Sequence, residues 1–129
     1  MITTTCTGIL TVAVPVTDQD RSKALFGQLG FETHLDAELQ PGFRWLEMRA
    51  PGSETTLSLV RASENLPAGI DTGIRLGTPD ARAAHAALAE LGCIVGALLE
   101  WETAPPMFVF RDHDGNAFYL TQVDKAQHT

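Results

Sequence analysis

The chain has 129 residues, 44% hydrophobic and 19% charged, a balance too apolar for an intrinsically disordered protein and ordinary for one globular domain. Its formal net charge is −7, and no run of Lys or Arg offers a path for phosphates, so a nucleic-acid partner is disfavoured. No apolar stretch approaches the roughly 20 residues that span a bilayer, and the first residues lack the regions of a signal peptide, so a cytoplasmic protein without membrane contact is expected.

In chain order, Leu10, Val12 and Val14 alternate with Thr11 and Ala13, the period of a strand. Pro15–Asp18 breaks the run, Thr17 or Asp18 can cap a helix, and Gln19–Leu29 carries Leu25 and Leu29 on one face before Gly30 stops it. A weak strand over Phe31–Leu35 follows, then Phe43–Arg49, the turn Pro51-Gly52-Ser53 and the strand Leu57-Ser58-Leu59. Ala62–Ile70 reads as a loop. The order then repeats. Ile74 and Leu76 flank Arg75, Thr78-Pro79-Asp80 breaks the run, and a helix over Ala81–Leu91 lines up Ala84, Leu88 and Leu91 before Gly92. Strands over Ile94–Leu98 and Met107–Arg111, the turn Asp114-Gly115-Asn116 and the strand Phe118-Tyr119-Leu120 close the chain. Asp18 to Asp80 is 62 positions, as is Gly30 to Gly92, and Ser58 to Tyr119 is 61. A shared element order at one near-constant offset is an internal duplication.

The pattern predicts an α+β fold of tandem βαβββ units, residues 9–61 and 71–123 of a single domain spanning 1–129. One helix covers one face of each four-stranded sheet, through Val12, Val14, Leu57, Leu59, Ile74, Leu76, Phe118 and Leu120. The other face is left concave, so a cup-shaped mixed sheet is expected.

The run Val14-Pro15-Val16-Thr17-Asp18, with Phe26 and Leu29-Gly30-Phe31, and the closing Phe110 to Leu120 with its Asp-Gly-Asn turn, resemble the vicinal oxygen chelate superfamily. That superfamily groups glyoxalase I, bleomycin resistance proteins and ring-cleaving dioxygenases, and the resemblance covers roughly Ile9 to Val123. Two departures stand out: Phe26-Gly27 where the family usually has Phe-Tyr, and His113 where it usually has Pro. Gly inside a helix costs about 1 kcal/mol against Ala, so a close approach is expected at Gly27.

The resemblance implies a divalent cation at the base of the cup, held by His or Glu from the first and last strands of each unit. Carried over residue by residue, those positions are Thr11, Ser58, Gly73 (or Thr72, one residue away) and Tyr119, none of them His, Asp or Glu. Hydroxyls are weak neutral ligands, and a phenol near pKa 10 is a poor one. His34, Glu47, Asp71, His85, His113 and His128 are scattered over strands, helix, turn and tail. No metal and no cofactor are expected.

Strand parity lists the inner face: Thr11, Ala13, Ser58, Val60, Arg75, Tyr119 and Thr121, with Trp45, Trp101, Met107 and Phe108 on or beside the walls. The candidate ligand-binding residues are Thr11, Trp45, Ser58, Arg75, Trp101, Met107 and Tyr119, for a planar or apolar small molecule. Trp45 suits a core or dimer interface as well as a ligand platform, and Trp101 suits a ligand or a partner subunit. Arg75 either meets an anionic ligand group or pairs with a carboxylate such as Glu47. The helix charges Asp20, Arg21, Lys23, Asp80 and Arg82 read as solvated faces. Cys6 and Cys93 read as reduced thiols, the latter half-buried. No Ser-His-Asp, Cys-His or HExxH pattern is present, and no catalytic residue is assigned, although Tyr119 as acid with Asp71 as base is a conceivable pair.

Three functions stay open: a metal-free ligand-binding protein of the bleomycin-resistance type, which the residues favour; a metal-dependent lyase, isomerase or dioxygenase of the same superfamily; and a structural or regulatory partner whose pocket is self-filled. The cup forms within one chain or between two, and a symmetric homodimer is the default expectation.

Overall fold

The computed structural model describes residues 4–124, and the chain divides into two compact units. Residues up to Val14 and Gln19–Val60 make the first; Pro15–Asp18 and the residues from Arg61 onward make the second. Among the described residues no helix is long and apolar enough to cross a membrane.

The first sheet has four strands, β1 (Thr11–Val16), β2 (Glu32–Gln40), β3 (Phe43–Arg49) and β4 (Thr56–Arg61), in the order β1-β4-β3-β2. Thr56 N–H donates to the Leu10 carbonyl and Ala62 N–H to that of Val16, so β1 and β4 run parallel, while β2–β3 and β3–β4 are antiparallel. Helix α1 (Gln19–Gln28) buries Ser22, Leu25 and Phe26, a spacing of three and four that keeps them on one stripe. Val14, Leu46 and Leu59 are 0% exposed, and Met48 and Leu57, register partners, belong to the same core. Gln19 ties helix to sheet, its amide donating to the carbonyls of Leu59 and Arg44 at 2.8 and 3.2 Å.

The second sheet repeats the plan: β5 (Asp71–Thr78), β6 (Ile94–Val95), β7 (Met107–Arg111) and β8 (Ala117–Gln122), ordered β5-β8-β7-β6, with β5–β8 parallel. Helix α2 (Ala81–Glu90) starts on Asp80, whose carboxylate accepts from the Ala83 N–H. Its core holds Leu88, Phe108, Phe110, Phe118 and Leu120, with Phe110 and Phe118, cross-strand partners, stacked at 5.3 Å.

Both helices end in the same motif 62 residues apart. Phe31 N–H donates to Phe26 O and Gly30 N–H to Gly27 O; Cys93 and Gly92 do the same to Leu88 and Ala89. Gly30 and Gly92 hold φ of 102° and 86°, a left-handed turn that L side chains disfavour. In the first copy the apolar contact that accompanies this cap is Phe31 edge-on to Phe26 at 5.4 Å. In the second copy Cys93 stands at the same position and is half-buried.

The structure departs from the expectations in definite places. Strand β2 is longer than Phe31–Leu35, reaching Gln40, because Leu35, Ala37 and Leu39 continue the alternation up to the Pro41-Gly42 hairpin turn. Strand β6 is shorter than Ile94–Leu98, and only an isolated bridge from Leu99 to Met107 continues it. A Cβ placed on Gly27 would meet nothing within 4 Å beyond its own helix backbone, so no close contact explains that glycine. Phe108 is core, 1% exposed and edge-on to His85 at 4.9 Å, not a wall of a ligand site. Ile74 and Leu76 are only half-buried. Thr17 does not turn its hydroxyl to the helix but donates it, with its N–H, to Asp114. Several helix charges are paired rather than only solvated: Asp20 with Arg44, Lys23 with Asp36 and Arg82 with Glu100.

Candidate functional site

Each sheet presents a second face, turned away from its helix. In the first unit the register sets Glu47 opposite Ser58, and residues two apart share a face, so Trp45, Glu47, Thr56, Ser58 and Thr11 point the same way. Thr11 and Ser58 hydrogen-bond to each other through their hydroxyls, and Thr11 also donates to the Thr56 carbonyl at 3.3 Å. The Glu47 carboxylate accepts from the Trp45 indole N–H at 2.6 Å and the Thr56 hydroxyl at 2.8 Å. These bonds, the indole's first and then the hydroxyl's, with His34 nearby, hold the Glu47 carboxyl below its ordinary pKa against the opposing effect of burial. Phe43, 48% exposed, lies 6.2 Å from the Trp45 ring.

In the second unit Arg75 is the register partner of Tyr119 across the parallel β5–β8 ladder. Its guanidinium lies 3.9 Å above the ring centroid, and the phenol donates to Asp71 at 2.7 Å. The cation covers one face of the ring and the carboxylate accepts the phenol's hydrogen bond. That bond raises the Tyr119 pKa and, with the Gly73 N–H, lowers that of Asp71. Met107 faces Thr121 in the β7–β8 register, two residues along from the Val109–Tyr119 pair, and so shares the Tyr119 face.

Thus Thr11 meets Ser58 and Arg75 meets Tyr119. Met107 lies on the Tyr119 side, and Trp45 on the Ser58 side. Trp101 is 59% exposed in the loop after β6. From the sequence, Glu47 figures as a carboxylate for Arg75 and Asp71 as a conceivable base beside Tyr119; the structure sets Glu47 against Trp45 and Thr56 and bonds Asp71 to the phenol. A carboxylate two residues from Trp45 in one strand was the available signal for the first; the second joins residues far apart in sequence.

The positions that the resemblance assigns to a cation do not suit one. Thr11 and Ser58 are bonded to each other, Tyr119 to Asp71, and Gly73 has no side chain. Thr72, one residue away, donates its hydroxyl to the Ala117 carbonyl at 2.6 Å and accepts from Ile74 N–H. Among the described residues no three His, Cys, Asp or Glu group as ligands would. His85 bonds the Gly96 carbonyl at 2.8 Å on the helix side, and His128 lies outside the described residues.

Comparison with known proteins agrees with this architecture. The profile of the Glyoxalase/Bleomycin resistance protein/Dioxygenase superfamily matches residues 8–120. TnmS3, described as an antibiotic binding protein from Streptomyces sp. CB03234, is 30% identical with a TM-score of 0.80, over 92% of this chain and 98% of that one. A superfamily member from Sphaerobacter thermophilus DSM 20745 is 28% identical with a TM-score of 0.81, over 92% and 98%. A glyoxalase/bleomycin resistance protein from Streptomyces sp. CB03234 is 31% identical with a TM-score of 0.75, over 89% and 100%. No curated protein matches the chain significantly in sequence.

Proposed function

From a chain that belongs to the Glyoxalase/Bleomycin resistance protein/Dioxygenase superfamily, we propose a protein that holds an aromatic or apolar small molecule without the help of a metal ion. The observation that carries this reading is the chemistry of the cation positions: hydroxyls bonded to one another, a backbone glycine, and a phenol bonded to a carboxylate. Such groups do not polarise a substrate oxygen as a bound divalent ion does. They leave surfaces suited to stacking and a few directed hydrogen bonds, with Trp45 and Phe43 on one sheet and the Arg75-capped Tyr119 on the other. Similarity at 30% identity to TnmS3, an antibiotic binding protein, supports an antibiotic-like ligand.

Two measurements test it. Elemental analysis of protein purified without chelator and dialysed is expected to show no stoichiometric divalent ion; a retained ion at one per chain overturns the reading in favour of a metal-dependent lyase, isomerase or dioxygenase. A thermal-shift panel of aromatic antibiotics is expected to contain a stabiliser. A ligand at 100 times its Kd stabilises by about 2.7 kcal/mol, a rise in Tm on the order of 10 °C. A panel with no shift at millimolar ligand counts against binding and favours a self-filled, structural protein.

A further inference from the structure

Glu47 is the acidic group on a face that otherwise carries aromatic and apolar side chains at Phe43, Trp45 and Leu35 and hydroxyls at Thr56, Ser58 and Thr11. It stands on the face of the first sheet that carries Trp45 and Phe43 at alternate positions, and its register partner on β2 is Leu35. Leu35 is 40% exposed and Phe43 48%, so this part of the face is available to a guest. The carboxylate is fixed in place, one oxygen accepting from Trp45 at 2.6 Å and the other from Thr56 at 2.8 Å. Each carboxylate oxygen has about two acceptor sites, so each keeps one after these bonds are made.

Building on the ligand-binding reading above, we propose that this face selects ligands in which a protonated amine is attached to an aromatic group, the ammonium meeting Glu47 and the ring lying against Phe43 and Trp45. A carboxylate held by an indole N–H and a hydroxyl is preorganised and needs no rearrangement to accept a third donor. The π-faces of Phe43 and Trp45 attract a cation where they would be neutral or unfavourable to an anion. The net charge of −7 raises the local concentration of cations around the whole chain. His34 is the nearby group that competes for Glu47; β2 slips register between Thr33 and Leu35, leaving it as the extra residue of a bulge.

The test uses the full chain at pH 8 and two probes of one shape, 1-naphthylmethylamine and 1-naphthylmethanol, titrated by calorimetry. The amine is expected to bind about tenfold more tightly than the alcohol, as a charge-assisted hydrogen bond exceeds a neutral one. Glu47→Gln, which keeps the size and a carbonyl acceptor, is expected to abolish that preference by bringing the amine's affinity down to that of the alcohol. Phe43→Ala, at an exposed position that does not endanger folding, is expected to weaken both probes. Equal affinity for the two probes, or an amine preference that survives in Glu47→Gln, overturns the charge assignment and leaves the aromatic-binding reading standing. Binding of neither probe overturns both.

Discussion

Asn116 is 0% exposed, and every arm of its amide is used. Its NH2 donates to the Pro15 carbonyl at 2.7 Å and to Asp112 at 2.9 Å, and its oxygen accepts from the N–H groups of Gly69 and Ile70. One side chain thus joins the end of β1, the linker before β5 and the β7–β8 turn. This is the physical content of the closing Asp112–Asn116 run, the sharpest motif in the sequence: Asp112 in turn accepts from the N–H groups of Asp114 and Asn116. Asn116→Ala leaves several buried polar groups unpaired and is expected to cost roughly 3 kcal/mol, read as a lower urea midpoint. A second residue-scale prediction concerns Tyr119, the chain's one tyrosine, so that tyrosinate absorbance reports it alone. The hydrogen bond to Asp71 raises its pKa, and ionisation is expected above the ordinary value of about 10. Asp71→Asn removes the negative charge and is expected to bring the midpoint down; an unmoved midpoint refutes the pairing. The linkage has a definite sign. Tyr119 contributes stability below its unfolded pKa that is lost as pH rises through the folded one. Asp71, lowered, contributes above its unfolded pKa and loses it as pH falls through the folded value. Both groups are at the surface, so solvent screening keeps these contributions small.

At the scale of elements, the two helices are a built-in comparison. Position for position at an offset of 62, Ser22 answers to Ala84 and Gly27 to Ala89. The Ser22 hydroxyl is buried with no partner among the described residues, and a Cβ at Gly27 meets nothing within 4 Å. Giving α1 the residues of α2, as Ser22→Ala or Gly27→Ala, is therefore expected to raise stability by about 1 kcal/mol each. Denaturant unfolding checks this, and a loss of stability in Gly27→Ala would mean that something does pack there. Helix positions were legible from apolar spacing and the terminal glycines, because those signals are local. Strand lengths were less so. β2 runs to Gln40 because of a Pro-Gly hairpin turn and three alternating apolar residues that are individually weak, and β6 ends early although Ile94 and Val95 are strong strand formers.

At the scale of the whole chain, the duplication is the dominant fact. Helices of ten residues start at Gln19 and Ala81, and the two sheets share one strand order. The offset falls from 62 to 61 between β3/β7 and β4/β8 because the second turn is one residue shorter. A symmetric homodimer remains our proposal for the assembly; sedimentation equilibrium returning twice the chain mass supports it, and a single chain mass overturns it. What the amino-acid order determined by itself is periodic and local: the number, type and repeat of the elements, the glycine stops of both helices, the family, and the poverty of metal ligands at the family's positions. Only the tertiary structure decided which polar side chains meet: Glu47 with Trp45 and Thr56, Thr11 with Ser58, and Tyr119 with Asp71 beneath Arg75. Alternation assigns a side chain to a face, whereas its neighbours on that face follow from strand register, and register is set by bulges and turns in which one residue more or less changes every pairing.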